Sequence, residues 1–432
     1  MGSSVRIAVL KWSDIVAEYA LFMLMTCLKN VWDLNFRVAA AIVNVFWGMM
    51  AIIPIFMKFI KLKFEMPDHW VVLLCSFAYT IGLGLLSFST PKTVSGKTDN
   101  SNDVGHKTLF YMSLTFIAVA RSGYAISLEK LINDEKGGIL GTVIHFSLSI
   151  GAMFVVNIVG MTISYIVKQC STRFGVPALC MVVSTLIFST GFWSYGRRTT
   201  DSLFTTLFNS YADTTHQPTT EQRNDPVIEE TKFLISLFPI FLLGLVSSLG
   251  NTFFLEQAYS MKHKILAPLL LGLYKLAKFL FPKFYFDIAD SWLPACCTGI
   301  KRGLNRIGMA LSLIFALLCC VIAAKVESRR LNNKGHEQMS ILYLVPQFFL
   351  LGGFYGMAYE SIERFFKDCE IPDRMKPYMV DSAVGVFGLG NIGSVLLVYP
   401  ILYGTYSWHF DTLRKRGHLH PSQMRKVVSP IP

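Results

Sequence analysis

Charge is scarce in this chain. Asp, Glu, Lys and Arg make up 16% of its 432 residues, against about 25% in ordinary soluble domains. That excludes a water-soluble body wrapped in a charged surface. Strand-like alternation of apolar and polar residues is also missing, so helices are expected rather than a barrel. The nine cysteines show no metal-like CxxC spacing. Cys75, Cys180, Cys319 and Cys320 fall inside apolar segments and read as small buried hydrophobes, while Cys296 and Cys297 sit beside a membrane boundary. No nucleophile, metal-ligating or phosphate-binding constellation is present, so neither an enzyme nor a cofactor is expected. No nucleic-acid module accompanies the net charge of +12. The Lys and Arg residues gather instead in polar connections, where they anchor helices and set orientation. No cleavable signal pattern opens the chain. Met1 to Lys11 is short and basic, and the first apolar segment can serve as the targeting signal.

Long apolar runs are what the sequence does have. It is 53% hydrophobic, with a mean hydropathy of +0.46, as a multi-pass membrane protein requires. A helix needs about twenty apolar residues to cross ~30 Å of hydrocarbon. Candidate spans are Ser13 to Leu28, Val38 to Ile60, Trp70 to Ser89, Thr108 to Leu128, Gly138 to Val167 and Gly175 to Tyr195. After a polar stretch come Phe233 to Leu255, Leu304 to Ala324, and two segments within Ile341 to Tyr403 joined by a turn at Lys367 to Lys376. Ile265 to Phe281 is apolar but holds Lys275 and Lys278, which leaves two readings open: a span, or a helix lying in the interface. The expected architecture is an all-α membrane protein of two helical bundles with about eleven transmembrane helices. Residues 1–195 form the first bundle, 196–231 a cytoplasmic linker, 232–404 the second bundle, and 405–432 a basic polar tail. Six helices, a linker and a second set is the layout of major facilitator transporters. The positive charge of the linker and of Lys325 to Lys334 places both on the cytoplasmic side.

Several stretches in order resemble the plant nitrate/peptide transporter family, the plant branch of the proton-coupled oligopeptide transporters. They are Ala40 to Pro54 (AAIVNVFWGMMAIIP), His145 to Ala152 (HFSLSIGA), Phe174 to Ala178 (FGVPA), Glu229 to Ile240 (EETKFLISLFPI) and Thr252 to Gln257 (TFFLEQ). Asn305 to Leu331, Tyr343 to Gly352 (YLVPQFFLLG), Phe387 to Ser394 (FGLGNIGS) and Arg416 to Leu419 (RGHL) complete the set. The resemblance implies a carrier that moves a small solute, such as nitrate or a di- or tripeptide, together with protons. It also implies a plasma-membrane or vacuolar-membrane location. The departures are equally specific. The family's acid-rich E-x-x-E-R motif stands here as Asp14-Ile15-Val16-Ala17-Glu18, and its Gly-Gly-Ile-Lys-Pro as Ser122-Gly123-Tyr124-Ala125-Ile126. The turn after its second helix becomes Phe56 to Lys61, the seventh helix is about one turn short, and the last helix is absent. These departures carry an alternative reading: a non-transporting, incomplete member that acts as an interaction partner, in an oligomer with related transporters.

Ionisable groups inside spanning helices mark function by default. Asp14 and Glu18, four residues apart on one helix face, are candidates for proton coupling, the alternative being a solvated helix start. Glu360 and Glu363 are candidates in the second bundle, set against a solvated helix end. Arg121 is a candidate anion contact in place of the missing Lys, or else a partner of Asp14 or Glu18; its planar fork suits nitrate or a carboxylate. Tyr124, His145, Asn157, Gln347 and Asn391 are candidate polar groups of a central cavity, each with a structural alternative. The expected partners are protons, a small-molecule substrate and the lipid bilayer.

Overall fold

The computed structural model describes residues 3–90, 103–135, 158–160, 162, 166–167, 169–191, 226–262, 267–292, 298–332, 339–367 and 379–396. Twelve α-helices are defined among them. In order they are α1 (Ser3–Phe22), α2 (Leu24–Asn30), α3 (Phe36–Lys63), α4 (Asp68–Ser89), α5 (Asp103–Glu135) and α6 (Cys170–Ser189). Then come α7 (Pro226–Leu249), α8 (Leu255–Tyr259), α9 (Ala267–Trp292), α10 (Thr298–Asn332), α11 (Val345–Lys367) and α12 (Met379–Leu396). Most of the fifth expected span, residues 91–102, residues 192–225 of the linker region and the tail lie outside the described residues. So do His145 and Asn157. The polar stretch expected as a loop from Pro91 to Lys107 ends in helix, since α5 starts at Asp103. The helix α7 begins at Pro226, inside the stretch assigned to the linker.

Eight of these helical stretches are long and apolar enough to cross a membrane. The helices α1 and α9 are of similar length, 20 and 26 residues, but carry charge within the span. At ~1.5 Å per residue α9 is about 39 Å long, and it packs inside the bundle: its backbone from Tyr274 to Pro282 lies against Gly352 to Gly356 of α11, with Leu270, Leu271, Ala277 and Phe286 buried. The apolar surface is turned outward as well as inward. Leu317 is 68% exposed and Phe88 77% exposed, as expected where lipid is the solvent rather than water.

Contacts between helix ends define two faces. Cys27 of α2 is bonded to Cys170 at the start of α6, so these two cysteines are a cross-link rather than packing residues. The last turn of α2 and the first turn of α8 meet on this disulfide face through the Lys29–Glu256 ion pair. The end of α10 joins them, because Gln257 donates to Glu327 at 3.1 Å. On the opposite face Lys58 of α3 pairs with Asp381 of α12 at 2.5 Å, and Lys61 and Lys130 both pair with Asp68. The basic end of α10 therefore lies across the molecule from the ends of α6 and α7 that flank the linker. This overturns the expectation that Lys325 to Lys334 shares the linker's side. The physical reason is that α9 is a full span, which reverses the direction of α10.

The two halves are held along α3 and α12. Asn44 donates to Ser394 at 2.9 Å near the disulfide face, and Lys58–Asp381 closes the other end. Between them the helices cross at Gly48 and Gly388. A Cβ on either glycine would lie 2.7 Å from the other's carbonyl oxygen, so only hydrogen fits. The glycines of α12 thus work as packing positions. Where the sequence loses a turn, the seventh span stays continuous from Pro226 to Tyr259 through a π-helical segment, Gly250–Phe254.

Candidate functional site

Midway between the faces, three helices from both halves bring their charged side chains together. Asp14 and Glu18 share one face of α1, as their spacing predicts. The Arg121 Nε of α5 donates to Asp14 at 2.8 Å, and its Nη2 lies 3.5 Å from Glu18. From the other half, the Lys275 Nζ of α9 donates to Glu18 at 3.3 Å. Asp14 is 5% exposed, so its charge is tolerable only because Arg121 neutralises it. The Tyr79 hydroxyl of α4 donates to the same Asp14 oxygen at 3.4 Å.

Aromatic rings wall this cluster. The Lys275 ammonium stands 4.2 Å above the Tyr19 ring, and the Lys278 ammonium 4.3 Å above the Tyr355 ring. Tyr355 also meets Tyr274 edge-on at 6.2 Å and Phe387 at 5.3 Å. Cations over aromatic faces are favourable, more so out of water. The register of α9 is fixed by α11: the backbone of Tyr274 and Lys278 lies against Gly352 and Gly356, where a side chain would collide with it. That close approach holds the lysines of α9 in place. Tyr124 is fully buried beside Tyr79, with ring centroids 6.2 Å apart, and its hydroxyl has no hydrogen-bond partner.

Of the residues named from sequence, the structure unites Asp14, Glu18, Arg121 and Tyr124. It sets others apart. Glu360 pairs with Arg364 at 2.8 Å on the half-exposed end of α11, and Glu363 lies on the same last turn. Gln347 is buried near the disulfide face, where it donates to Gln257 at 3.3 Å. Asn391 is buried on α12 beside Ser394, which donates to its carbonyl. Sequence reasoning missed Lys275 and Lys278 as site residues and counted them against a span. The available signal was their spacing, three apart on one helix face in an apolar segment, which demands an anionic partner from elsewhere.

No family model matches the chain. Curated relatives do. Protein NRT1/PTR FAMILY 5.5 of Arabidopsis thaliana is 31% identical over 482 aligned positions, covering 94% of this chain and 90% of the relative. Protein NRT1/PTR FAMILY 5.11 of the same plant is 25% identical, covering 88% and 81%. Among solved structures, the POT family transporter PepTSo superposes with a TM-score of 0.64 at 13% identity, over 98% of this chain and 93% of that one. An auto-inhibited POT family peptide transporter gives 0.65 at 14%, over 96% and 91%. At such identities the structures bear on the fold alone, which is that of the major facilitator carriers. Taken with the spanning helices and the identity to its plant relatives, this makes the chain a multi-pass integral membrane transporter belonging to the NRT1/PTR family.

Proposed function

We propose that this protein carries a small solute, such as nitrate or a di- or tripeptide, across a membrane together with protons, and that the Asp14–Glu18–Arg121–Lys275 cluster is the coupling element. The observation that carries the reading is that Glu18 contacts Arg121 of its own half and Lys275 of the other. Two unit charges 3.3 Å apart attract by about 5 kcal/mol at an effective dielectric of ~20, before desolvation is subtracted. A proton on Glu18 removes that attraction. The halves are then free to part on one side, and a substrate anion can take the place of the lost carboxylate. Rocking of the halves about such a midplane site is the alternating-access motion of this architecture.

The disulfide supports one sidedness and outweighs Lys325, Arg329 and Arg330, which α10 brings to the disulfide face against the positive-inside rule. Disulfides persist in oxidising compartments, so the Cys27–Cys170 face is the non-cytoplasmic one. Lys58, Lys61 and Lys63 on the other face agree with the positive-inside rule.

Uptake in oocytes tests the proposal. Labelled nitrate, a dipeptide and the organic monoanion N-acetylphenylalanine are offered in turn, and the intact chain is expected to accumulate at least one of them faster at acidic external pH. Glu18→Gln should abolish the pH response while leaving surface abundance unchanged. A wild-type chain present at the surface that moves none of the three at any pH would overturn the reading.

A further inference from the structure

The cluster has one more cation than it has anions, and the excess sits on Lys278. Asp14 and Glu18 are both engaged, by Arg121 and by Arg121 with Lys275. No described carboxylate forms an ion pair with Lys278. Its ammonium meets the Tyr355 ring, and its electrostatic neighbours are Glu18, Lys275, Arg121 and the exposed Lys11. Counted at their formal charges, the two carboxylates, the guanidinium and the two ammonium groups sum to +1 in a site walled by tyrosines. Beside Arg121, the buried Tyr124 hydroxyl lacks a partner. An unpartnered donor and an uncompensated cation both favour an incoming anion.

Building on the carrier reading above, we infer that Lys278 is the substrate-binding cation of the site and that it makes the carrier selective for monoanions over zwitterions. A zwitterion brings an ammonium group for which neither cluster carboxylate is free. A monoanion brings the net charge of the site to zero. The rings of Tyr19, Tyr274 and Tyr355 further favour a carboxylate attached to an apolar body over a bare inorganic ion.

Four probes of the purified full chain decide the matter by ligand-induced thermal shift. N-acetylphenylalanine is a monoanion, phenylalanine a zwitterion and phenylalanine amide a cation, all with one ring; sodium nitrate is the bare ion. N-acetylphenylalanine is expected to bind at least tenfold more tightly than phenylalanine, with the amide weakest. Nitrate binding as tight as N-acetylphenylalanine would overturn the role given to the aromatic wall. Lys278→Met should erase the preference for the monoanion, and Lys278→Arg should keep it. Equal binding of monoanion and zwitterion, no shift with any anion, or a Lys278→Met variant that retains the preference would overturn the inference. The assay reads binding without transport, so anion binding in a chain that takes up no solute would refute the carrier reading while leaving the anion site standing.

Discussion

Removing Arg121 tests the arrangement most directly. In Arg121→Met the guanidinium leaves, and Asp14 stays buried with the weak 3.4 Å hydrogen bond from Tyr79 as its remaining polar contact among the described residues. The intact pair contributes little net stability: a gross attraction of about 6 kcal/mol at 2.8 Å is offset by several kcal/mol of desolvation per ion. Its rupture is another matter, because a lone buried charge costs about 3–5 kcal/mol. Glu18 loses one of its two cations in the same step and keeps Lys275. Arg121→Met is therefore expected to lower the midpoint of thermal unfolding in detergent by roughly 3–6 °C, since an unfolding entropy of about 2.1 cal/mol/K per residue over 432 residues gives ~1 °C per kcal/mol. The neutral double variant Asp14→Asn with Arg121→Met should recover at least half of the loss. Tryptophan-fluorescence melts of the three chains measure it. Single and double variants that melt together would refute the idea that the guanidinium is there to offset a buried carboxylate.

Three further outcomes are expected. Gly244→Ala places a methyl group against the carbonyl oxygen of Phe387 and should destabilise the α7–α12 contact by about 1–3 kcal/mol. Gly84→Ala, with nothing within 4 Å of the new carbon, should be neutral or stabilising in its helix; melting curves in detergent compare the two. Glu256→Gln breaks the partly exposed Lys29 pair, worth ~1 kcal/mol. It should speed labelling of a cysteine placed at Asn251 by an impermeant maleimide about fivefold, and the charge swap Lys29→Glu with Glu256→Lys should reverse the gain. Cys27→Ser removes a cross-link closing a 143-residue separation, for which chain entropy sets a ceiling of about 5 kcal/mol. A lowered melting midpoint, matched by reductant acting on the wild type, is the expected signature.

Much of the fold was legible because hydrocarbon imposes a simple length rule. The expected apolar cores Val38 to Ile60, Trp70 to Ser89 and Leu304 to Ala324 fall within α3, α4 and α10. The helix ends were less legible, since helices continue beyond the apolar core: α5 runs to Glu135 and α10 starts at Thr298. Half of the candidate site was readable, because Asp14 and Glu18 announce themselves by local spacing. The other half was not. Lys275 meets Glu18 across a separation of 257 residues, and no local pattern reveals that a lysine in one bundle answers an acid in the other. The same holds for Cys27 and Cys170, which read singly as small apolar residues. The orientation of α10 turned on whether one lysine-bearing helix spans, and that depended on its partners rather than on its own hydropathy.

The Cys27–Cys170 bond also bears on how the chain is built. Its first sulfur emerges with the earliest span, while the second reaches the same side only after the sixth span has begun to be threaded. The link therefore cannot close until nearly the whole first half has been inserted in the right sense. An insertion error that inverts either of these helices would leave both thiols unjoined, so the oxidation state of this one pair records whether biosynthesis of the first bundle succeeded.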